Sequence, residues 1–145
     1  MALIEFSSTA ATCEIDPGTE HALADGTLQI NGRVFTDKVE SQDSRIAGTN
    51  MPTLNITFNP QMGEGEIQGK FRLKPDAFEG AWEGELHGRF VNGMVTSWGI
   101  ARGSGALQGS VLRVDFQQVA AYPGTPPCEE PKAFFEMKGQ ILEHD

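Results

Sequence analysis

The sequence predicts an all-β chain, an eight-stranded antiparallel β-barrel with little or no helix, and three observations carry that reading. First, 17 glycines and 8 prolines spread over 145 residues leave almost no window in which a helix of ten or more residues could propagate. Second, apolar and polar residues alternate with period two through most of the chain. Third, turn chemistry recurs between the alternating segments, as at Asp16-Pro17-Gly18, Asn59-Pro60, Asn92-Gly93 and Gly103-Ser104-Gly105.

Strands are expected at about 3–15, 26–41 and 44–58, with one helical turn at most in Glu20-His21-Ala22-Leu23-Ala24, bracketed by Gly18 and Gly26. The clearest alternation follows. Between 65 and 73 the odd positions Ile67, Phe71 and Leu73 join Gly65 and Gly69 on one face, while Glu66, Gln68, Lys70 and Arg72 occupy the other. From 78 to 90, Phe78, Trp82, Leu86 and Phe90 alternate with Glu79, Glu83, Glu85, His87 and Arg89. Lys74-Pro75-Asp76-Ala77 turns one segment into the next, which sets Lys70 and Arg72 beside Glu79, Glu83 and Glu85. Each such cross-strand pair is worth about 0.2 to 1 kcal/mol. Further strands are expected at 93–103, 106–119 and 133–143, with a stiff proline-bearing connection at 121–132. Eight mostly consecutive strands favour a closed barrel over a sandwich, because closure removes exposed edges. No repeat or second domain is visible, so residues 1–145 read as one domain.

Gly80, Gly84 and Gly88 stand four apart, as do Gly65 and Gly69, and Gly99 and Gly103. On a strand these residues share a face and permit the sharp coiling that a small barrel needs. Whether they also leave room for a ligand is open at this stage, since eight-stranded barrels are found both filled and hollow.

Composition narrows the partners. With 20 acidic against 11 basic residues and no cationic cluster, the surface suits neither nucleic acid nor an anionic membrane. The N-terminal stretch lacks the basic and apolar regions of a secretion signal, and no apolar run approaches membrane length, which points to a soluble, cytoplasmic protein. On that reading Cys13 and Cys128 are expected as reduced thiols.

Motif tests exclude several chemistries. Gly103-Ser104-Gly105 opens like a dinucleotide fingerprint, but the next glycine is Gly109, and Val111-Leu112-Arg113-Val114 continues as a strand where a helix N-terminus is needed. His21, His87 and His144 stand apart, so no metal or cofactor is expected. Ser104 lacks a nucleophile elbow, and Glu129 and Glu130 beside Cys128 would blunt a thiolate. Glu83, Glu85 and His87 read as a solvated outer face.

There remains an apolar set assigned to the interior: Phe71, Leu73, Trp82, Leu86, Trp98, Ile100, Leu112, Val114, Phe116, Phe135, Met137 and Ile141. It is either a packed core or the lining of a pocket. The candidate ligand-binding residues are Phe71, Trp82, Leu86, Trp98, Arg102 and Phe116. Arg102, with the parity of Trp98 and Ile100, is either a solvated rim residue or a single charge that anchors a carboxylate or enolate.

The segments "EGAWEGELHGRF" and "SWGIARGSGALQGSVLRVDF" resemble, in rhythm and glycine placement over residues 60–119, the core of the allene-oxide-cyclase-like barrels, including bacterial members. The resemblance implies an eight-stranded antiparallel barrel whose apolar cavity folds a reactive substrate. No catalytic residue of the plant cyclases matches a position here, so the activity does not carry over. A lipocalin-like barrel competes, but its Gly-x-Trp belongs on the first strand, whereas Gly80-Ala81-Trp82 lies in mid-chain. The expected function is therefore binding of a small apolar molecule in the barrel. The alternatives are a cyclase or isomerase that confines its substrate there, and a filled barrel that serves as an interaction module. Self-association is also expected, from the family likeness and from exposed apolar surface.

Overall fold

The computed structural model describes residues 2–144. Nine strands follow in order: β1 (Ala2–Asp16), β2 (Thr19–Ala22), β3 (Leu28–Ser41), β4 (Gly48–Asn59), β5 (Glu64–Pro75), β6 (Trp82–Val91), β7 (Met94–Gly103), β8 (Val111–Val119) and β9 (Ala133–Glu143). From β3 to β9 each strand pairs antiparallel with the next, and β1 closes the circle by pairing with both β9 and β3. The result is the closed eight-stranded antiparallel barrel that the alternation predicts. No helix among the described residues is long and apolar enough to cross a membrane.

The ninth strand corrects one expectation. Residues 19–22 are extended rather than helical, and they pair with Leu28–Asn31 on β3. Beyond Asp16 the first strand no longer covers that part of β3, so an unpaired edge is available, and its ladder outweighs a weak local helical preference.

The β5–β6 hairpin has the expected charge register: Lys70 faces Glu85, and Arg72 faces Glu83 with Nε to Oε1 at 2.9 Å. Glu79 stays in the connecting loop. Asn92 and Gly93, with φ of 53° and 76°, form the two-residue turn between β6 and β7. A turn with both central residues at positive φ matches the twist of the strands it joins. Gly103-Ser104-Gly105 makes the corner before β8, followed by a short 3₁₀ turn over Gly105–Leu107.

Inside, large residues and glycines alternate around the wall. One hydrogen-bonded row reads Leu54, Gly69, Leu86, Gly99, Val114, Gly139 and Phe6 across seven adjacent strands. A small barrel can hold bulky inward side chains only if their neighbours are small. At Gly99 the space is already taken: a Cβ there would lie 2.6 Å from Cε1 of Phe71.

The interior is divided. Toward the β3–β4, β5–β6 and β7–β8 connections it is solid, with Trp82, Leu73, Leu112, Met137, Ile141 and Ile46 fully buried. Trp82 plugs this end, and its indole N–H donates to the Arg45 carbonyl at 2.9 Å, so its one polar atom is satisfied. Arg45 is itself held by Asp43 at 2.8 Å and by Glu143 at 2.6 Å.

The 120–132 connection lies against the outside of β1 and β3. Cys13 and Cys128 are joined in a disulfide with Cα atoms 6.3 Å apart, which corrects the expectation of two reduced thiols. Sequence reasoning had no distance to use: the cysteines are 115 residues apart, and only closure of the barrel brings β1 beside the segment that leads into β9. The Tyr122 ring stacks on Phe134 at 5.7 Å, and Lys132 N–H donates to the Thr12 carbonyl at 2.7 Å. This cover explains why Ala11 and Cys13 are buried although they point away from the barrel axis.

Candidate functional site

The opposite half of the barrel, toward the β4–β5, β6–β7 and β8–β9 connections, holds a cavity of about 310 Å³. That lies at the lower end of the range for small-molecule sites, roughly 300–1,000 Å³. Its walls are apolar, with Phe35, Leu54, Ile67, Leu86, Phe116 and Phe135 among them. Arg33, Gly93, Gln118 and Lys132 also border it. Arg33 is committed elsewhere: its Nε donates to Glu14 Oε1 at 2.8 Å, a second contact joins the same groups, and its guanidinium lies 5.0 Å from the Phe35 ring centre. Gln118 accepts from the Val95 N–H at 2.9 Å.

Within this apolar wall is a polar cluster. Register places Thr12 opposite Asp37 and Asp37 opposite Asn50, so three neighbouring strands deliver three polar side chains to one patch. Thr12 Oγ1 donates to Asp37 Oδ1 at 2.7 Å, and Asn50 Nδ2 donates to Asp37 Oδ2 at 2.9 Å. Asp37 is only 5% exposed and Asn50 only 2%. Among the described residues, Asn50 Oδ1 finds no hydrogen-bond donor. Burial pushes the Asp37 carboxyl up to about 6, against the two hydrogen bonds that favour its charge.

The six residues expected to bind ligand divide three ways. Leu86 and Phe116 line the cavity. Phe71 and Trp82 are buried in packed core. Trp98 and Arg102 lie outside the barrel, together with Ile100; Trp98 is 38% exposed and Ile100 61%. This reverses the expected parity of β7, whose inward residues are Ser97, Gly99 and Ala101. The reason is volume. Gly99 is paired with inward Leu86 and Val114, and Phe71 already occupies the space in front of it, so β7 turns its bulk outward. Trp98 instead stacks on His87 with ring centres 6.3 Å apart, under the guanidinium of Arg89 at 5.9 Å. Glu83, Glu85 and His87 are exposed on the outer wall, as the alternation indicates.

Two signals in the sequence would have corrected the parity and found the cluster. A two-residue Asn92-Gly93 turn pairs Phe90 with Val95 and Leu86 with Gly99, and directly opposite residues share a face. Inward Leu86 therefore requires inward Gly99. Likewise, in Phe35-Thr36-Asp37-Lys38-Val39 the aspartate has the parity of the apolar residues, and Asn50 has the parity of Leu54 and Ile56. A polar residue on an apolar face is the informative exception. Comparison with protein-family models and with curated proteins finds no match to this chain.

Proposed function

We propose that the protein binds a small, mostly apolar molecule in the open half of its barrel. The observation that carries this reading is the 310 Å³ cavity, apolar-walled and retained inside a barrel whose other half is packed solid. A protein under selection for stability alone gains by filling such a space, since each missing contact weakens the core. The volume equals about ten waters at roughly 30 Å³ each, so the occupant is on the order of ten non-hydrogen atoms. The test is ligand-observed NMR with a panel of small arenes and alkanols against the wild type and Ser97→Phe, which puts an aromatic ring into the cavity. Binding by the wild type and loss in the variant is the expected result. Silence across the panel, or equal binding by Ser97→Phe, overturns the proposal.

A second reading, isomerisation or cyclisation inside the cavity, is favoured by Asp37. A carboxyl group held near 6 in an apolar site suits proton transfer close to neutral pH. Arg102 has no part in it, being outside the wall. Turnover of a bound compound separates this reading from simple binding. The allene-oxide-cyclase-like relationship stays with it as a proposal, supported by the closed barrel and by the glycine alternation of its wall. As for location, the disulfide fits an oxidising compartment better than the cytoplasm expected from the N-terminal sequence.

A further inference from the structure

The chemistry of the occupant can be read from the polar cluster, an inference that rests on the cavity being a ligand site. Most of the spare hydrogen-bonding capacity there belongs to acceptors. The Asp37 carboxylate receives one bond on each oxygen, from Thr12 and Asn50, whereas an ionised carboxylate offers about four lone-pair sites. Asn50 Oδ1 is buried without a donor. The Thr12 hydroxyl proton and one of the two Asn50 amide protons are directed at Asp37, which leaves the cluster with more open acceptor sites than donors and with a negative charge to be met. Of the remaining charged groups in the lining, Arg33 is paired with Glu14 and Lys132 belongs to the connection that leads into β9.

We infer that the molecule bound in the cavity is a primary amine on a compact apolar body, held as an ammonium ion by the carboxylate of Asp37 and the amide oxygen of Asn50. An ammonium supplies three donors in a small volume and neutralises the buried charge. An alcohol supplies one donor and leaves the charge uncompensated. A carboxylate at the cluster would meet the like charge of Asp37 and the unpaired oxygen of Asn50. Burying an ion pair usually fails to repay the desolvation of both partners. Here Asp37 is already buried before any ligand binds, so much of the desolvation of the carboxylate is incurred on folding.

Three ligands of equal heavy-atom count test this: 3-phenylpropylamine, 3-phenylpropan-1-ol and butylbenzene, titrated calorimetrically into the wild type, Asp37→Asn and Asn50→Leu. The wild type is expected to prefer the amine, and Asp37→Asn to weaken the amine by about tenfold or more, the ordinary worth of a hydrogen bond to a charged group. Binding of the alcohol and of butylbenzene by that variant should be little changed. Asn50→Leu should likewise lower the preference for the amine. In the wild type, amine affinity should fall as the pH is lowered through about 6, where Asp37 takes up a proton. If butylbenzene and the alcohol bind and the amine has no advantage, or if Asp37→Asn leaves the amine untouched, the amine inference is wrong while the cavity reading stands. If none of the three binds the wild type, the cavity reading fails and this inference fails with it.

Discussion

Replacing Asp37 by asparagine should make the ligand-free protein more stable at neutral pH and remove a pH dependence expected of the wild type. Folding moves the Asp37 carboxyl from its ordinary 3.8 to about 6. Between those two values the unfolded chain has released the proton and the folded protein still holds it, so the folded state binds more protons and stability falls as pH rises. The stabilisation is complete below 3.8 and gone above about 6. At about 1.4 kcal/mol for each pH unit between the two values, the loss is about 3 kcal/mol. Asparagine keeps the shape and cannot ionise, and its amide can still exchange hydrogen bonds with Thr12 and Asn50. Urea denaturation of both proteins at a series of pH values from about 4 to 8 measures the difference directly. The gap should be small at the acid end and widen to about 3 kcal/mol at the alkaline end, equivalent to about 10 °C in Tm for a chain of this size. A gap that is constant across the series would mean that Asp37 does not titrate in this window, and the electrostatic account of the cluster would be refuted.

The other predictions concern the wall, the plug and the outer loop. Gly84→Ala should destabilise by about 1–3 kcal/mol in urea denaturation, the usual range for overpacking, because a Cβ at Gly84 would meet the Ile100 carbonyl of the adjacent strand. Reduction of Cys13–Cys128 releases a cross-link spanning 115 residues, and chain entropy puts its worth at about 3–5 kcal/mol; hydrogen exchange should rise in the 120–132 connection before it rises in the barrel. Trp82→Phe leaves the part-buried Arg45 carbonyl without its donor and should cost about 1 kcal/mol. Trp98→Ala, on the outer wall, should leave cavity binding unchanged and should remove the acrylamide-accessible part of the tryptophan fluorescence. Loss of binding in that variant would show that the placement of Trp98 outside the site is wrong.

Asp37 is unusual because it lowers the stability of the fold that contains it. Val39 and Phe35 show what the same face of β3 accepts elsewhere, and a valine or leucine at 37 would satisfy the packing with no buried charge. A group that costs stability and leaves a neighbour's oxygen without a donor is more readily explained by what it binds than by what it holds together.

Much of the fold was legible in the sequence because the information is local. Period-two alternation, the Asn92-Gly93 turn and the opposite charges of Lys70 and Arg72 against Glu83 and Glu85 are all properties of neighbours along the chain or across one hairpin. They determine strands, turns and, through closure of eight strands, the barrel. The face of β7 that points inward follows from the Asn92-Gly93 turn once Leu86 is inward, but why its inward residue is glycine was decided by the tertiary structure: Phe71, from another strand, fills the space in front of Gly99. The Thr12–Asp37–Asn50 cluster depends on β1 meeting β3, and the cavity and the disulfide depend on β1 also meeting β9 and the segment that leads into it, from the far end of the chain. Alternation could identify Asp37 as an inward polar residue, but the partners that hold it and the space it faces exist only once the barrel closes.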